Sequence, residues 1–270
     1  MKRGLLILVS LVVVAGLVIG CGEVEEATTE VERITIGATP VPHAEILEDV
    51  VEPLLAEEGI ELEIREFTDY VTPNLALDDG SIDANFFQHT PYLENFSAER
   101  ELDLVDIASV HIEPIGLYSE QIDSLDQIEE GALIAIPNDT TNEGRALLLL
   151  EEAGLIELSS EAGLEATLVD IIDNPKELEF TELEAAQLPR SLPDVTAAVI
   201  NTNYALEIDL VPTNDSLIIE GSQSPYANVL VVRGVDQEDQ LLNKLAAALN
   251  SQQVKDYIEE EYGGSIVPVF

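Results

Sequence analysis

Ala132-Leu133-Ile134-Ala135-Ile136, followed by Pro137-Asn138-Asp139-Thr140-Thr141-Asn142-Glu143-Gly144-Arg145, is the stretch on which the fold is read. Five apolar residues in unbroken succession suit a strand buried on both faces. The polar loop behind them opens a helix over Asn142–Ala153, which Gly154 closes. A buried strand that delivers its chain straight into a helix is the building unit of an α/β sheet.

The same alternation extends in both directions. Strands are expected at Arg33–Thr39, Glu61–Phe67, Ala84–Phe87 and Leu104–Ile112 on one side, and at Thr167–Ile172, Leu178–Leu183, Ala197–Ile200 and Ala227–Arg233 on the other. Ala44–Glu58 carries Ile46, Leu47, Val50, Val51, Leu54 and Leu55 at helical spacing, and Gly59 stops it. Pro73–Asp79, Gln237–Leu249 and Val254–Glu261 read as further helices. Strands interleaved with helices predict an α/β fold with mostly parallel pairing. Pro114-Ile115-Gly116 and Ser224-Pro225-Tyr226 are turn-rich breaks that bracket a central lobe. The expected organisation is two lobes, residues 33–115 with 228–270 and residues 116–227, joined by two crossovers with a ligand cleft between them.

The first residues carry an address. Lys2 and Arg3 precede an unbroken run of apolar and small residues from Leu5 to Ile19, which is short for a membrane-spanning helix and suits a signal-peptide core. Val18-Ile19-Gly20-Cys21 resembles a bacterial lipobox, in which the Cys thiol is acylated and becomes the first mature residue. The expectation is a signal peptide over residues 1–20, a lipidated acidic tether over 21–32, and an anchored protein on the extracytoplasmic face of the cell membrane.

The balance of charge excludes several roles. The 270 residues hold 11 Lys and Arg against 54 Asp and Glu, a formal net charge of −43. Nucleic acid demands basic surface to neutralise its phosphates, so a nucleic-acid partner is excluded. A hydrophobic fraction of 46% rules out a disordered acidic tail. Such acidity fits an extracytoplasmic protein in saline or alkaline water, or serves solubility alone. The single Cys permits no internal disulfide, and His43, His89 and His111 have no metal-ligand spacing, so neither a metal nor a cofactor is expected. No nucleophile elbow, phosphate loop or dinucleotide fingerprint occurs, and the chain is not expected to be an enzyme.

What remains is a constellation suited to a free amino acid, whose carboxylate, ammonium and side chain each need a partner. Tyr70, with Phe87, His89 and Tyr92 from Asp83–Tyr92, clusters aromatic rings in a chain that is only 5% aromatic. Phe86 beside them reads as core. Arg145 follows a helix start and offers a charge-assisted contact to a carboxylate, where helix N-termini also favour anions. Asn142, Asn201 and Asn228 supply amides that can donate and accept.

Several of these segments together carry a resemblance. Phe67-Thr68-Asp69-Tyr70, Ile82–His89, Pro137-Asn138-Asp139, Asn142–Leu150, Gln187–Leu192, Ala198–Thr202 and Ser224–Asn228 occur in an order that resembles the methionine-binding lipoprotein family (NlpA/MetQ type) of ABC importers. The resemblance covers the chain from about Arg33 to its end. It implies a two-lobed periplasmic-binding-protein-like fold of type II character, L-methionine as ligand, and delivery to membrane permease and ATPase subunits. It implies that Tyr70, Phe87, His89 and Tyr92 form the side-chain pocket, that Arg145 clamps the carboxylate, and that Asn142, Asn201 and Asn228 contact the zwitterion. Arg190 matches a family motif without an assigned role. Other small amino acids, a methionine-containing dipeptide, or a surface interaction lipoprotein without transport remain the alternatives.

Overall fold

A computed structural model describes residues 31–221 and 224–270. Cys21, the signal segment and most of the tether lie outside the described residues. The chain first lays down strands β1 (Glu32–Ala38), β2 (Ile60–Glu66), β3 (Ala84–His89) and β4 (Leu104–Ile112). It then crosses to a second sheet with β5 (Gly116–Tyr118) and β6 (Leu133–Pro137). A small two-stranded ladder follows, β7 (Glu157–Leu158) with β8 (Ile171–Asp173). The second sheet is completed by β9 (Glu179–Leu183), β10 (Ala197–Ile200) and β11 (Ile218–Ile219). The chain crosses back for β12 (Ala227–Arg233) and β13 (Val267–Pro268).

The first sheet has the order β13-β4-β12-β3-β1-β2, and the second has the order β11-β5-β10-β6-β9. Each sheet buries its own core. In the first, Ile34, Ile36, Phe86, Val110 and Leu230 meet Leu245, Leu249, Val254 and Ile258 of the two closing helices, Gln240–Leu249 and Gln252–Glu261. In the second, Ile134, Ile136 and Val199 meet Ala146, Leu147 and Leu150 of the helix Thr140–Glu152. A fully buried Leu or Ile stabilises by about 1.5–3 kcal/mol, so these stripes decide which helix returns to which sheet. The closing helices therefore complete the first lobe although they come last in sequence.

Several expectations need correction. Pairing is mixed rather than mostly parallel. β1 runs parallel to β2 and β3, and β6 parallel to β9 and β10. β12 is antiparallel to β3 and β4, and β5 is antiparallel to β10 and β11. A strand that enters a sheet directly from the other lobe needs no helical crossover, so its direction is free to oppose its neighbours. β1 begins at Glu32, which pairs with Ile60, one residue inside the expected tether. β12 takes in Ala227, so the return crossing ends one residue earlier than expected.

The segment Thr167–Ile172 is not a strand throughout. The Thr167 and Asp170 side chains close a capping box on a single 3-10 turn, Leu168–Asp170, before β8. Ala44–Glu58 is helical but wound in wide turns over Leu47–Val51, before the α-helix Glu52–Glu57. A helix at Thr90–Arg100, not expected from the sequence, follows β3 without a loop. No helix among the described residues is long and apolar enough to cross a membrane.

Candidate functional site

Both lobes direct side chains into one narrow cleft with about 330 Å³ of unfilled space. It is lined by all eight residues singled out as ligand contacts, Tyr70, Phe87, His89, Tyr92, Asn142, Arg145, Asn201 and Asn228. Gln88, Glu113, Thr202 and Asn203 complete the wall. The reason is topological. β3, β6 and β10 each end at the interface between the sheets, so the residues just beyond each strand converge there.

The first sheet contributes the aromatic side. Phe87 and His89 lie at the end of β3, and His89 caps the helix Thr90–Arg100 by accepting from the Tyr92 N–H at 3.1 Å. That cap turns the chain so that Tyr92 comes back beside Phe87, with ring centroids 6.2 Å apart. Tyr70 packs 6.0 Å from Phe87 and 5.9 Å from Tyr92, and the Tyr92 hydroxyl donates to the Tyr70 carbonyl at 2.9 Å. The three rings form a wall with spacings suited to aromatic packing. Behind it, Asn74, Asn85 and Gln88 close a buried amide network with bonds of 2.7–2.9 Å. Phe86 points the other way into the first core, as expected.

The second sheet contributes the polar side. Asp139 caps the helix Thr140–Glu152, accepting from the Asn142 N–H at 3.1 Å and from its amide at 2.9 Å. This corrects the expectation that the helix N-terminus is open to an anion, because a carboxylate of the chain already occupies it. The bond orients Asn142, whose Oδ1 then accepts from Asn201 Nδ2 at 2.8 Å and faces His89 Nε2 at 3.2 Å across the cleft. Burial and the nearby Arg145 charge push the His89 imidazole down to about 3, so it is neutral at ordinary pH. Its Nδ1 accepts from Tyr92, so Nε2 carries the proton and donates to Asn142.

Gly144 lets the Leu164–Ala166 segment pack against this helix, where any Cβ would collide with the Leu164 carbonyl. The next residue is Arg145, which is only 3% exposed. Its Nε donates to both Glu220 oxygens at 3.1 and 3.2 Å, and its Nη2 donates to Glu220 and to the Glu113 carbonyl. The guanidinium also lies 4.3 Å from the Tyr226 ring centroid. Nη1 donates to no described residue. Arg145 is thus not wholly free to clamp a ligand, because Glu220 holds one edge of it.

Two atoms at the cleft stand out. Asn201 Oδ1 and Asn203 Nδ2 are buried and have no hydrogen-bond partner among the described residues. One is an acceptor and the other a donor, and an unpaired buried polar group costs about 1–3 kcal/mol. Asn203 is further fixed by the Tyr70 hydroxyl, which donates to its Oδ1 at 2.6 Å from the opposite lobe. Sequence reasoning missed Asn203, Glu113 and Glu220. Asn203 sits in the Asn201-Thr202-Asn203 run and could have been found from that spacing. Nothing local marks the two acids among 54. Arg190, on the helix Leu188–Ser191, is exposed and does not line the cleft.

The comparisons with known proteins decide the family. The NlpA lipoprotein family model matches residues 34–270.

This chain belongs to the NlpA lipoprotein family. It is 41% identical over 266 residues to the methionine-binding lipoprotein MetQ of Bacillus subtilis, covering 96% of each chain. It is similar in structure to a nutrient-binding protein of Burkholderia cenocepacia bound to methionine. That match has 46% identity and a TM-score of 0.85, covering 88% of this chain and all of the other. An ABC-transporter periplasmic substrate-binding protein of Coxiella burnetii matches with 45% identity and a TM-score of 0.84, covering 87% of this chain and all of that one. The architecture is therefore the two-sheet α/β fold of periplasmic substrate-binding proteins. Membership of this family of NlpA lipoproteins makes the chain a solute-binding protein rather than an enzyme.

Proposed function

We propose that this protein is a lipid-anchored receptor that captures L-methionine outside the cytoplasm and delivers it to the permease and ATPase subunits of an ABC importer. The observation that carries the reading is the pair of orphaned atoms, Asn201 Oδ1 and Asn203 Nδ2, buried beside the wall formed by Tyr70, Phe87 and Tyr92. An α-amino acid supplies what they lack, since its ammonium donates and its carboxylate accepts. Family membership and the relatives that bind methionine support the choice of ligand.

In this reading Arg145 presents Nη1 to the carboxylate, and Asn142, Asn201 and Asn228 contact the polar end. Tyr70, Phe87, His89 and Tyr92 surround the side chain. A thioether gains about 0.3–1.5 kcal/mol from aromatic contacts, and its unbranched chain suits a narrow slot. A branched side chain would overpack the slot at a cost of about 1–3 kcal/mol. Cys21 anchors the protein through acyl chains, with residues 21–31 as the link to the folded region. The two lobes, divided at the crossings after Ile115 and before Ala227, close over the ligand.

Thermal-shift titration across the amino acids tests the assignment, together with mass spectrometry of protein purified without added ligand. Methionine should give the largest shift, with selenomethionine and norleucine close behind and leucine and alanine far weaker. A charged or aromatic amino acid that stabilises the protein when methionine does not would overturn it.

A further inference from the structure

Among the described residues, outside the contacts assigned above, one cluster of His and carboxylate groups is buried. Glu113 lies on the first crossing between the sheets, immediately after β4, and is 6% exposed. His111 Nε2 lies 2.7 Å from its Oε1, and His43 Nε2 lies 3.2 Å from the same oxygen. His111 is completely buried, and its Nδ1 has no partner among the described residues. His43 Nδ1 is 2.8 Å from the Thr39 hydroxyl, and its Nε2 is also 3.1 Å from Asn228 Oδ1. The Phe86 ring packs edge-on against both imidazoles, at 4.6 Å from His43 and 5.4 Å from His111. Two imidazoles therefore converge on one carboxylate oxygen and fix the rotamer of Glu113.

This arrangement has a chemical direction. Burial pushes His43 down to about 4 and His111 to about 3, so both rings are neutral at ordinary pH. With Thr39 or no donor at Nδ1, each ring can carry its proton on Nε2 and donate to Oε1. Glu113 is the one acid among the described residues that line the cleft. Arg145, the neighbouring cation, bonds the Glu113 backbone carbonyl at 2.7 Å and makes its direct ion pair with the Glu220 carboxylate. Among the described residues the Glu113 carboxylate makes no direct ion pair with Lys or Arg; burial holds it above the usual carboxylate range, with the Arg145 charge acting against that, and Glu113 lines a cleft that a cation could enter.

We propose that Glu113 accepts the α-ammonium of the ligand, and that His43 and His111 are the positioning residues that hold it for that contact. The inference rests on the reading of the cleft as an amino-acid site. Burying an ammonium without an opposing charge is costly, and Asn amides supply only dipoles. Glu113 completes an alternation of charge through the closed cleft: Glu220, Arg145, ligand carboxylate, ligand ammonium, Glu113. An α-amino acid carries its two charges on neighbouring carbons. The cleft offers a guanidinium and a carboxylate on residues already bonded to each other, Arg145 and Glu113. His111 leaves Nδ1 unpaired in the core, a cost that is offset if its Nε2–H is needed to hold Glu113.

Calorimetry of the purified protein with L-methionine and with 4-(methylthio)butanoate, which lacks only the ammonium, separates the possibilities. The unaltered protein should bind the butanoate about 100-fold or more weakly than methionine. Glu113→Gln should lose about 100-fold for methionine while its affinity for the butanoate stays within about threefold. His111→Leu should show the same ligand-selective loss, and His111→Gln, which restores a donor near the position of Nε2, should recover most of it. Should Glu113→Gln not fold, the ratio in the unaltered protein and the His111 pair decide the matter. Equal affinity of the unaltered protein for both ligands would overturn the proposal, as would equal losses for both in the variants. Stoichiometric metal bound to the His43–His111–Glu113 cluster would also overturn it. If methionine does not bind at all, the methionine assignment fails. The same comparison is then run with the amino acid that does bind and its des-amino counterpart.

Discussion

Glu220 meets Arg145 along one edge of the guanidinium, with Nε 3.1 and 3.2 Å from its two oxygens, and leaves Nη1 without a described partner. The pair joins a helix of the second lobe to the crossing that returns to the first. Through Nη2 and the Glu113 carbonyl the same guanidinium reaches the other crossing. Arg145 therefore ties both connections between the sheets to the polar end of the cleft.

Replacing Arg145 has two separable effects. Arg145→Ala should remove most methionine affinity, at about 2–5 kcal/mol, because the ligand carboxylate loses its charge partner. It should also lower the unfolding temperature, since Glu220 would keep a largely buried charge without a cation. Adding Glu220→Gln should restore the melting temperature but not the binding. Differential scanning calorimetry with titration calorimetry on both variants checks this, and recovery of binding in the double variant would refute the assigned role.

Asn142 is the polar link across the cleft, facing His89 from the first lobe and accepting from Asn201 within the second. Asn142→Ala strands these donors and takes the amide bonds from Asp139 while leaving its backbone cap, so methionine affinity should fall by about 1–3 kcal/mol or more. Asn142→Asp would bring a second carboxylate against Asp139, which burial already holds above the usual carboxylate range. It should therefore bind more weakly than Asn142→Ala at pH 8 and approach it at pH 5. Titration calorimetry at the two pH values is the check.

The buried histidines set an acid limit on stability. Burial pushes His43 to about 4, and His89 and His111 to about 3, whereas each takes up a proton near 6.5 once unfolded. Between pH 6.5 and 4 the unfolded chain binds protons that the folded chain refuses, so this contribution to stability falls as pH falls. Glu113, raised by burial, acts in the opposite sense. The direct measurement is histidine-ring NMR, in which none of the three rings should titrate between pH 8 and 5 in the folded protein. A ring titrating near 6.5 would contradict the burial.

In the proposed reading, membrane attachment rests on a single side chain, the Cys21 thiol. Cys21→Ser should leave the protein unlipidated and released from the membrane. Fractionation with intact-mass measurement reads both. A Cys21→Ser protein that stays membrane-bound and retains residues 1–20 would show that the segment is a plain anchor.

The sequence by itself determined the elements whose signals are local. The apolar run Leu133–Pro137, the helix behind it closed by Gly154, and the alternation along β1 and β2 each specify their conformation within a dozen or so residues, by burial period and helix-stop chemistry. The motifs that carry the family resemblance also hold eight side chains that line one cleft, near the ends of strands and helices where the two sheets face each other. What the tertiary structure alone decided was pairing and partnership. Whether β12 runs with or against β3 depends on which edge the returning chain reaches. Glu220 lies 75 residues from Arg145, and the Glu113 carbonyl 32 residues from it. His43 meets Asn228 across 185 residues. No periodicity spans such separations. In a chain this acidic, a carboxylate gains its distinct role only when folding strips away its water and sets particular donors against it.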